Sequence, residues 1–240
     1  MILVKLRLRY SKLGKVRFVS HRDGARLWER ALRRVSFPVA YTEGFTPRPK
    51  LSFGMALPTG AESVAEFIDI DLVLGVSIDI EDPAVVDGLS DALPVGMDVQ
   101  VIAERDPARG SLQTEVTSTT WELAGPGIEP EILESAAQRI LAADRLFVER
   151  ERKGQRRIDD VRPLIRNLGP DSSGTRFVAE LNTVGRALRP SELALAAFPG
   201  IDPVDVRVLR THQWTDHDGE RREVLSLPGV VTALDEGLSA

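Results

Sequence analysis

The chain opens on a two-residue period. Ile2, Val4, Leu6 and Leu8 fall on one side of an extended segment, and Lys5, Arg7 and Arg9 share the other with Leu3. That alternation predicts a strand over residues 2–10, covered on one face. Gly14 then marks a turn, and residues 16–19 lead into a different period. Between 20 and 35, Gly24, Ala25, Leu27, Trp28, Ala31, Leu32 and Val35 recur at helical spacing as a core-facing stripe. Arg22, Arg26, Arg30 and Arg33 form a narrow stripe on the opposite side. Ser20 and Asp23 make a capping box at the start, and Pro38 marks the stop.

Further strands are predicted at 51–57 and at 65–73, where Ile68, Ile70 and Leu72 alternate with Phe67, Asp69 and Asp71. A helix at 84–93 and a strand at 97–103 follow. This order is β-α-β-β-α-β. Residues 106–111, Asp-Pro-Ala-Arg-Gly-Ser, read as a linker. Beyond them come a Thr-rich strand at 116–123 and a helix at 130–143 with Ile132, Leu133, Ala136, Ala137, Ile140 and Leu141 on its apolar face. Strands at 146–152 and 175–182, a helix at 191–198 and a strand at 204–214 complete the order, with 156–168 ambiguous. The expected fold class is α+β, built from two tandem ferredoxin-like units at residues 1–105 and 116–214. Residues 228–240 read as a loose tail.

Charge is distributed unevenly along the chain. Residues 1–60 carry thirteen cations against three acids, and residues 61–110 carry twelve acids against two cations. Such segregation either makes a dipolar surface that steers a polyanion or lets the two segments neutralise each other in the fold. The loop Phe45-Thr46-Pro47-Arg48-Pro49-Lys50 follows Gly44, and its prolines are expected to hold Arg48 and Lys50 extended and accessible. An arginine stripe beside two more cations and an aromatic suits the backbone of a nucleic acid, although a basic helix face also serves solubility alone. A second basic cluster includes Arg156 and Arg157, with Gly154 at a hairpin tip and acids at Glu149, Glu151, Asp159 and Asp160.

The chain contains no cysteine. Disulfides, thiolate metal sites and a cysteine nucleophile are therefore excluded. No apolar run approaches the roughly 20 residues of a membrane span, and the start resembles no signal peptide. A cytoplasmic protein without membrane contact is expected. Of three histidines, His21 opens the basic helix, where it is either a helix-start histidine that hydrogen-bonds locally or a neutral imidazole acting as general base in metal-independent RNA cleavage, assisted by Tyr10 or Tyr41. His212 and His217 lack a third ligand at metal-site spacing. Asp69 and Asp71 either hold a magnesium ion or form the wet side of a half-buried strand. Phosphate-binding glycine loops and the G-x-S-x-G nucleophile elbow are absent, and neither a metal nor any other cofactor is expected.

The run FVSHRDGARLWERALRRVSFPVAYTEGFTPRPKLSFGMALPTGAESVAEFIDIDL resembles the radical-SAM-linked family of uncharacterised bacterial proteins. That family's signature has the form FxSHxD…ERALRR…PVAYSEGFxPxPKxSFGxxLPxGxES. RRIDDVRPLI at 156–165 and Arg210-Thr211 resemble later family elements. The resemblance singles out Ser20, His21, Asp23, Glu43 and Gly44 without assigning them roles. Family members occur alone or fused to radical-SAM enzymes, and lie beside genes for ribosomal proteins and an endoribonuclease. This implies RNA metabolism. Lacking cysteine, this chain cannot hold a radical-SAM cluster, so modification chemistry would belong to another chain. Paired units with a histidine and a basic loop are also similar to CRISPR repeat-associated RNA endonucleases, in architecture alone.

Three functions remain open. The first is an RNA-binding accessory protein presenting tRNA or rRNA to a separately encoded radical-SAM enzyme, with Arg22, Arg26, Arg30, Arg33, Arg48, Lys50, Arg156 and Arg157 on phosphates and Phe45 stacking on a base. The second is an endoribonuclease using His21. The third is a protein-interaction module that never touches RNA.

Overall fold

The computed structural model describes residues 4–106, 108–152, 155–185, 187–217 and 219–228. Ile2, Leu3, Pro107, Gly154 and the tail beyond Pro228, each assigned a place above, lie outside the described residues. The first half contains β1 (Lys5–Lys12), a single 3-10 turn, α1 (His21–Arg34), β2 (Leu51–Phe53), β3 (Glu62–Asp71), α2 (Pro83–Ala92) and β4 (Val99–Glu104). The expected strand at 51–57 is shorter, because the chain bends at Met55, just after the Gly54 N–H makes its bond to the Phe67 carbonyl of β3 at 2.9 Å. β1 lies antiparallel between β3 and β4, and β2 pairs antiparallel with β3 through Leu51↔Ile70 and Phe53↔Ile68.

The second half contains α3 (Leu112–Glu115), β5 (Val116–Ala124), α4 (Pro130–Leu141), β6 (Phe147–Arg152), β7 (Gln155–Asp160), β8 (Ile165–Pro170), β9 (Phe177–Asn182), α5 (Pro190–Ala197), β10 (Arg207–His217) and β11 (Glu220–Glu223). The ambiguous segment resolves into β7, a 3-10 turn and β8. The strand expected at 146–152 does not join the main sheet. It pairs with β7 in a separate two-stranded hairpin, and β8 takes the place beside β9. β11, unforeseen from the sequence, pairs with the end of β10.

One large mixed sheet results, in the order β4-β1-β3-β10-β5-β9-β8. The halves join where β10 runs parallel to β3 at Leu209↔Glu62 and Arg210↔Ser63. The protein is thus an α+β molecule. Leu6, Leu8 and Tyr10 of β1, Ile68 and Ile70 of β3 and Leu72 just after it pack under Trp28, Ala31 and Leu32 of α1 and Leu89 of α2. Tyr10 meets Trp28 edge-on at 4.9 Å. In the second half, Leu133, Ala136, Ala137 and Ile140 of α4 and Leu193, Ala194 and Ala197 of α5 cover Trp121, Leu123, Phe177 and Ala179. Ile132 and Leu141, expected on the apolar face of α4, stay exposed at its margins.

The opposite face of β1 and β3 decides the fate of the early cations. Phe67, Ala65, Leu112, Val116 and Val224 form a third cluster there, so this face is covered as well. Arg7 and Arg9 are buried beneath it. Arg7 donates from Nε and Nη2 to the Asp69 carboxylate at 2.7 and 2.9 Å, and from Nη1 to Glu115 at 3.0 Å. Lys5 pairs with Asp71 at 3.2 Å, and Arg9 with Glu223 at 2.6 Å. Neither alternative for Asp69 holds: it is neither wet nor a magnesium ligand, but the buried counter-ion of Arg7. Low-dielectric burial makes charges pair, and the acids of β3 supply the partners.

Candidate nucleic-acid interface

α1 begins as its sequence dictates. Ser20 is the N-cap, its Oγ accepting from the Asp23 backbone N–H at 3.1 Å and donating to the Asp23 carboxylate at 2.8 Å. The Ser20 hydroxyl, joined by Arg26, holds Asp23 below the usual carboxylate range. After Arg34 the chain reverses through Ser36 at φ +53°, with the Phe37 N–H returning to the Leu32 carbonyl at 2.9 Å.

Arg22, Arg26, Arg30 and Arg33 are all exposed on the side of α1 away from Trp28, Ala31 and Leu32. Arg26 pairs with Asp23 at 3.1 Å. Among the described residues, Arg22, Arg30 and Arg33 have no acid within ion-pair reach. Every buried arginine behaves in the opposite way: Arg7, Arg9 and Arg210 each hold a carboxylate. Cations left unpaired on a surface are the ones able to meet an external anion.

The loop after α1 extends the same chemistry. Its base is clamped to the sheet by Ala40 N–H to the Asp71 carbonyl at 2.8 Å and by Lys50 N–H to the Ala40 carbonyl at 2.8 Å. Thr42 and Arg48 then exchange two bonds, Thr42 N–H to the Arg48 carbonyl at 2.9 Å and Arg48 N–H to Thr42 Oγ1 at 3.0 Å. The loop therefore closes like a hairpin, with bends at 43–46, and is not the continuously extended strip expected from its prolines. Gly44 at φ +121° makes the reversal, a conformation side chains oppose. Glu43, Phe45, Arg48 and Lys50 all point into solvent, and Phe45 is fully exposed. No acid partners Arg48 or Lys50 among the described residues.

His21 stands elsewhere, at the mouth of a small cavity of about 20 Å3. Ser20, His21 and Gly24 of the α1 start, Tyr10, Lys12, Phe53 and Glu66 line it. The His21 ring meets Phe53 edge-on at 5.4 Å. Tyr10 shares this cavity, whereas Tyr41 sits on the loop, bridged to Pro49. Lys12 is buried and donates from Nζ to the Val19 carbonyl at 2.7 Å. Burial holds its ammonium below the usual lysine range, and Arg210 adds to the effect. Sequence reasoning missed Lys12 and Glu66. A signal existed for Lys12, which falls in step with Leu6, Leu8 and Tyr10 on the apolar side of β1.

Arg156 and Arg157 lie on the β6–β7 hairpin, outside the main sheet. Both are exposed, and Arg156 pairs with Glu149 at 3.4 Å. The structure thus brings together the four α1 arginines on one face and Phe45, Arg48 and Lys50 on one loop, and places Arg156 and Arg157 on a separate element. Among the described residues, no group of three histidines or acids is arranged to hold a metal, and no helix is long and apolar enough to cross a membrane.

His212 stacks on Trp214 at 4.9 Å, and burial, reinforced by Arg9 and Arg221, lowers its pKa to about 4. Its folded value lies below the unfolded value of about 6.5, so the unfolded chain binds the proton first. Stability present above pH 6.5 is therefore lost as pH falls toward 4, by roughly 2 kcal/mol. Urea unfolding at pH 7 and pH 4.5 should show this loss, and His212→Gln should reduce it.

Residues 5–191 match a family described as an uncharacterized protein conserved in bacteria (DUF2344). The chain belongs to that family. The match begins with β1 and ends within α5, so it includes α1, the loop, Lys12 and Glu66, and stops short of Arg210. A search of curated proteins found no match.

Proposed function

We propose that this protein binds structured RNA, tRNA or rRNA, through the exposed face of α1 and the 42–50 loop, and presents it to a separate radical-SAM modifying enzyme. The observation that carries the proposal is the contrast between cations. The buried arginines are consumed by carboxylates, whereas Arg22, Arg30, Arg33, Arg48 and Lys50 are exposed without an acid partner among the described residues. Phosphates would occupy those positions, and an unpaired base would stack on Phe45, whose exposed ring has a high desolvation reward. The radical-SAM partner enters through the sequence signature alone.

The same proposal takes residues 1–105 and 116–214 as two ferredoxin-like units. Its support is the repeated strand order, β4-β1-β3-β2 and β10-β5-β9-β8, with antiparallel neighbours throughout each set. The β6–β7 hairpin is then an insertion into the second unit, available as a second RNA contact through Arg156 and Arg157.

The test is RNA binding by fluorescence anisotropy across a salt series. Arg48→Glu with Lys50→Glu should weaken binding roughly 10- to 30-fold near physiological salt and lower the slope of log affinity against log salt by about 1.5. Unchanged affinity and slope would overturn the assignment. Both residues are exposed, so the unfolding midpoint should not move.

A further inference from the structure

We propose that the cavity at the start of α1 is a seat for a phosphate monoester, one of whose terminal oxygens enters beside the Lys12 ammonium while Ser20 and His21 meet the others at the mouth. The argument starts from charge. Lys12 is more than nine-tenths buried, and the charges acting on it are Glu66 and Arg210. Arg210 is almost completely buried and binds Oε1 of Glu66 through both Nε, at 3.1 Å, and Nη2. One carboxylate therefore serves two buried cations. Buried charges are ordinarily matched, and the missing negative charge is the kind a ligand supplies.

Hydrogen bonding points the same way. An ammonium has three N–H donors. One from Lys12 reaches the Val19 carbonyl, and no other acceptor takes the remaining two among the described residues. The hydroxyls of Tyr10 and Ser20 and the His21 imidazole line the same cavity. The α1 start adds the positive end of a helix dipole. Glu66 is the one acid in the lining, and its bonds to Arg210 are already described.

Size selects the ligand. About 20 Å3 holds one water-sized group, enough for one phosphate oxygen and too little for a sugar or base. The ester side must stay outside. A chain-internal diester must bring a second sugar to the mouth, where a monoester brings one. The monoester also brings a second negative charge. Its source is either a phosphorylated RNA end or a free nucleotide. The seat does not depend on the RNA reading, which bears only on that source.

The test uses the full chain and one short oligonucleotide in three forms: 5′-phosphorylated, 3′-phosphorylated and with hydroxyls at both ends. Nucleoside 5′- and 3′-monophosphates are titrated in parallel. One phosphorylated end should bind about tenfold more tightly than the hydroxyl form, and Lys12→Met should erase that ratio. The Arg48 and Lys50 reversal should weaken all three forms together and leave the ratio intact. A nucleotide binding as tightly as the phosphorylated strand assigns the source as free nucleotide, and weaker binding assigns a strand end. Should Lys12→Met fail to fold, His21→Ala at the exposed mouth should shrink the ratio instead. Equal binding of all three strand forms with no nucleotide binding overturns the seat and leaves a single structural water in the cavity. If no strand binds at all, the RNA reading fails, and nucleotide binding alone decides the seat.

Discussion

Asp69→Ala should destabilise the protein by about 3–5 kcal/mol and lower its unfolding midpoint by about 10 °C for a chain of this size. The Asp69 carboxylate is buried between β1 and α3 and receives two bonds from Arg7, with Arg105 Nε 3.5 Å away. Its removal leaves Arg7 buried with only Glu115 and frees Arg105 from its nearest acid. A stranded buried guanidinium is far costlier than a missing pair. The double variant Arg7→Met, Asp69→Leu should therefore recover part of the loss, because apolar side chains suit the neighbouring cluster of Phe67, Leu112 and Val116, while Glu115 still loses its bond from Arg7. Thermal unfolding of the single and double variants distinguishes the two cases. If the single variant loses less than 1 kcal/mol, the pair contributes nothing beyond a surface bridge.

Gly96→Ala is expected to cost about 3–4 kcal/mol, for a reason that burial does not reveal. Gly96 adopts φ +93°, and a Cβ there would lie 2.3 Å from the Leu13 carbonyl oxygen. The obstacle is backbone, so no rotamer change relieves it. The same contact is a tie: Leu13 N–H donates to the Gly96 carbonyl at 2.8 Å. It joins the end of β1 to the turn before β4, beside Met97 and Val16 of the first core. Gly127, at φ +75° with open space around the added methyl, is the control. Gly127→Ala should pay the backbone strain alone, and a denaturant midpoint near that of Gly96→Ala would remove the steric argument.

Much of the secondary structure was readable from local pattern. The α1 stripes, its Ser20 cap and the alternation of Ile68, Ile70 and Leu72 against Phe67, Asp69 and Asp71 all appear in the folded chain, because period and capping involve residues a few positions apart. The pattern misled where two long-range placements had the same local appearance. Residues 147–152 carry strand character, yet pair within a hairpin, since a strand sequence does not name its partner. Arg7 and Arg9 alternate with apolar residues as a wet face would, yet α3 and the segment after β11 cover them.

The candidate interface divides in the same way. The arginine stripe, Gly44 and the exposed Phe45 could be located from helical spacing and turn chemistry. By itself, then, the sequence determined where α1 begins and ends, which of its sides is basic, and that thirteen early cations face twelve acids in the next segment. Only the tertiary structure decided which cations are neutralised and which stay free. Arg7 finds Asp69 62 positions away and Arg210 finds Glu66 144 positions away, and the same packing buries Lys12 beside a carboxylate already held by another cation. Charge pairing depends on distance in space and on burial, neither of which a linear pattern specifies.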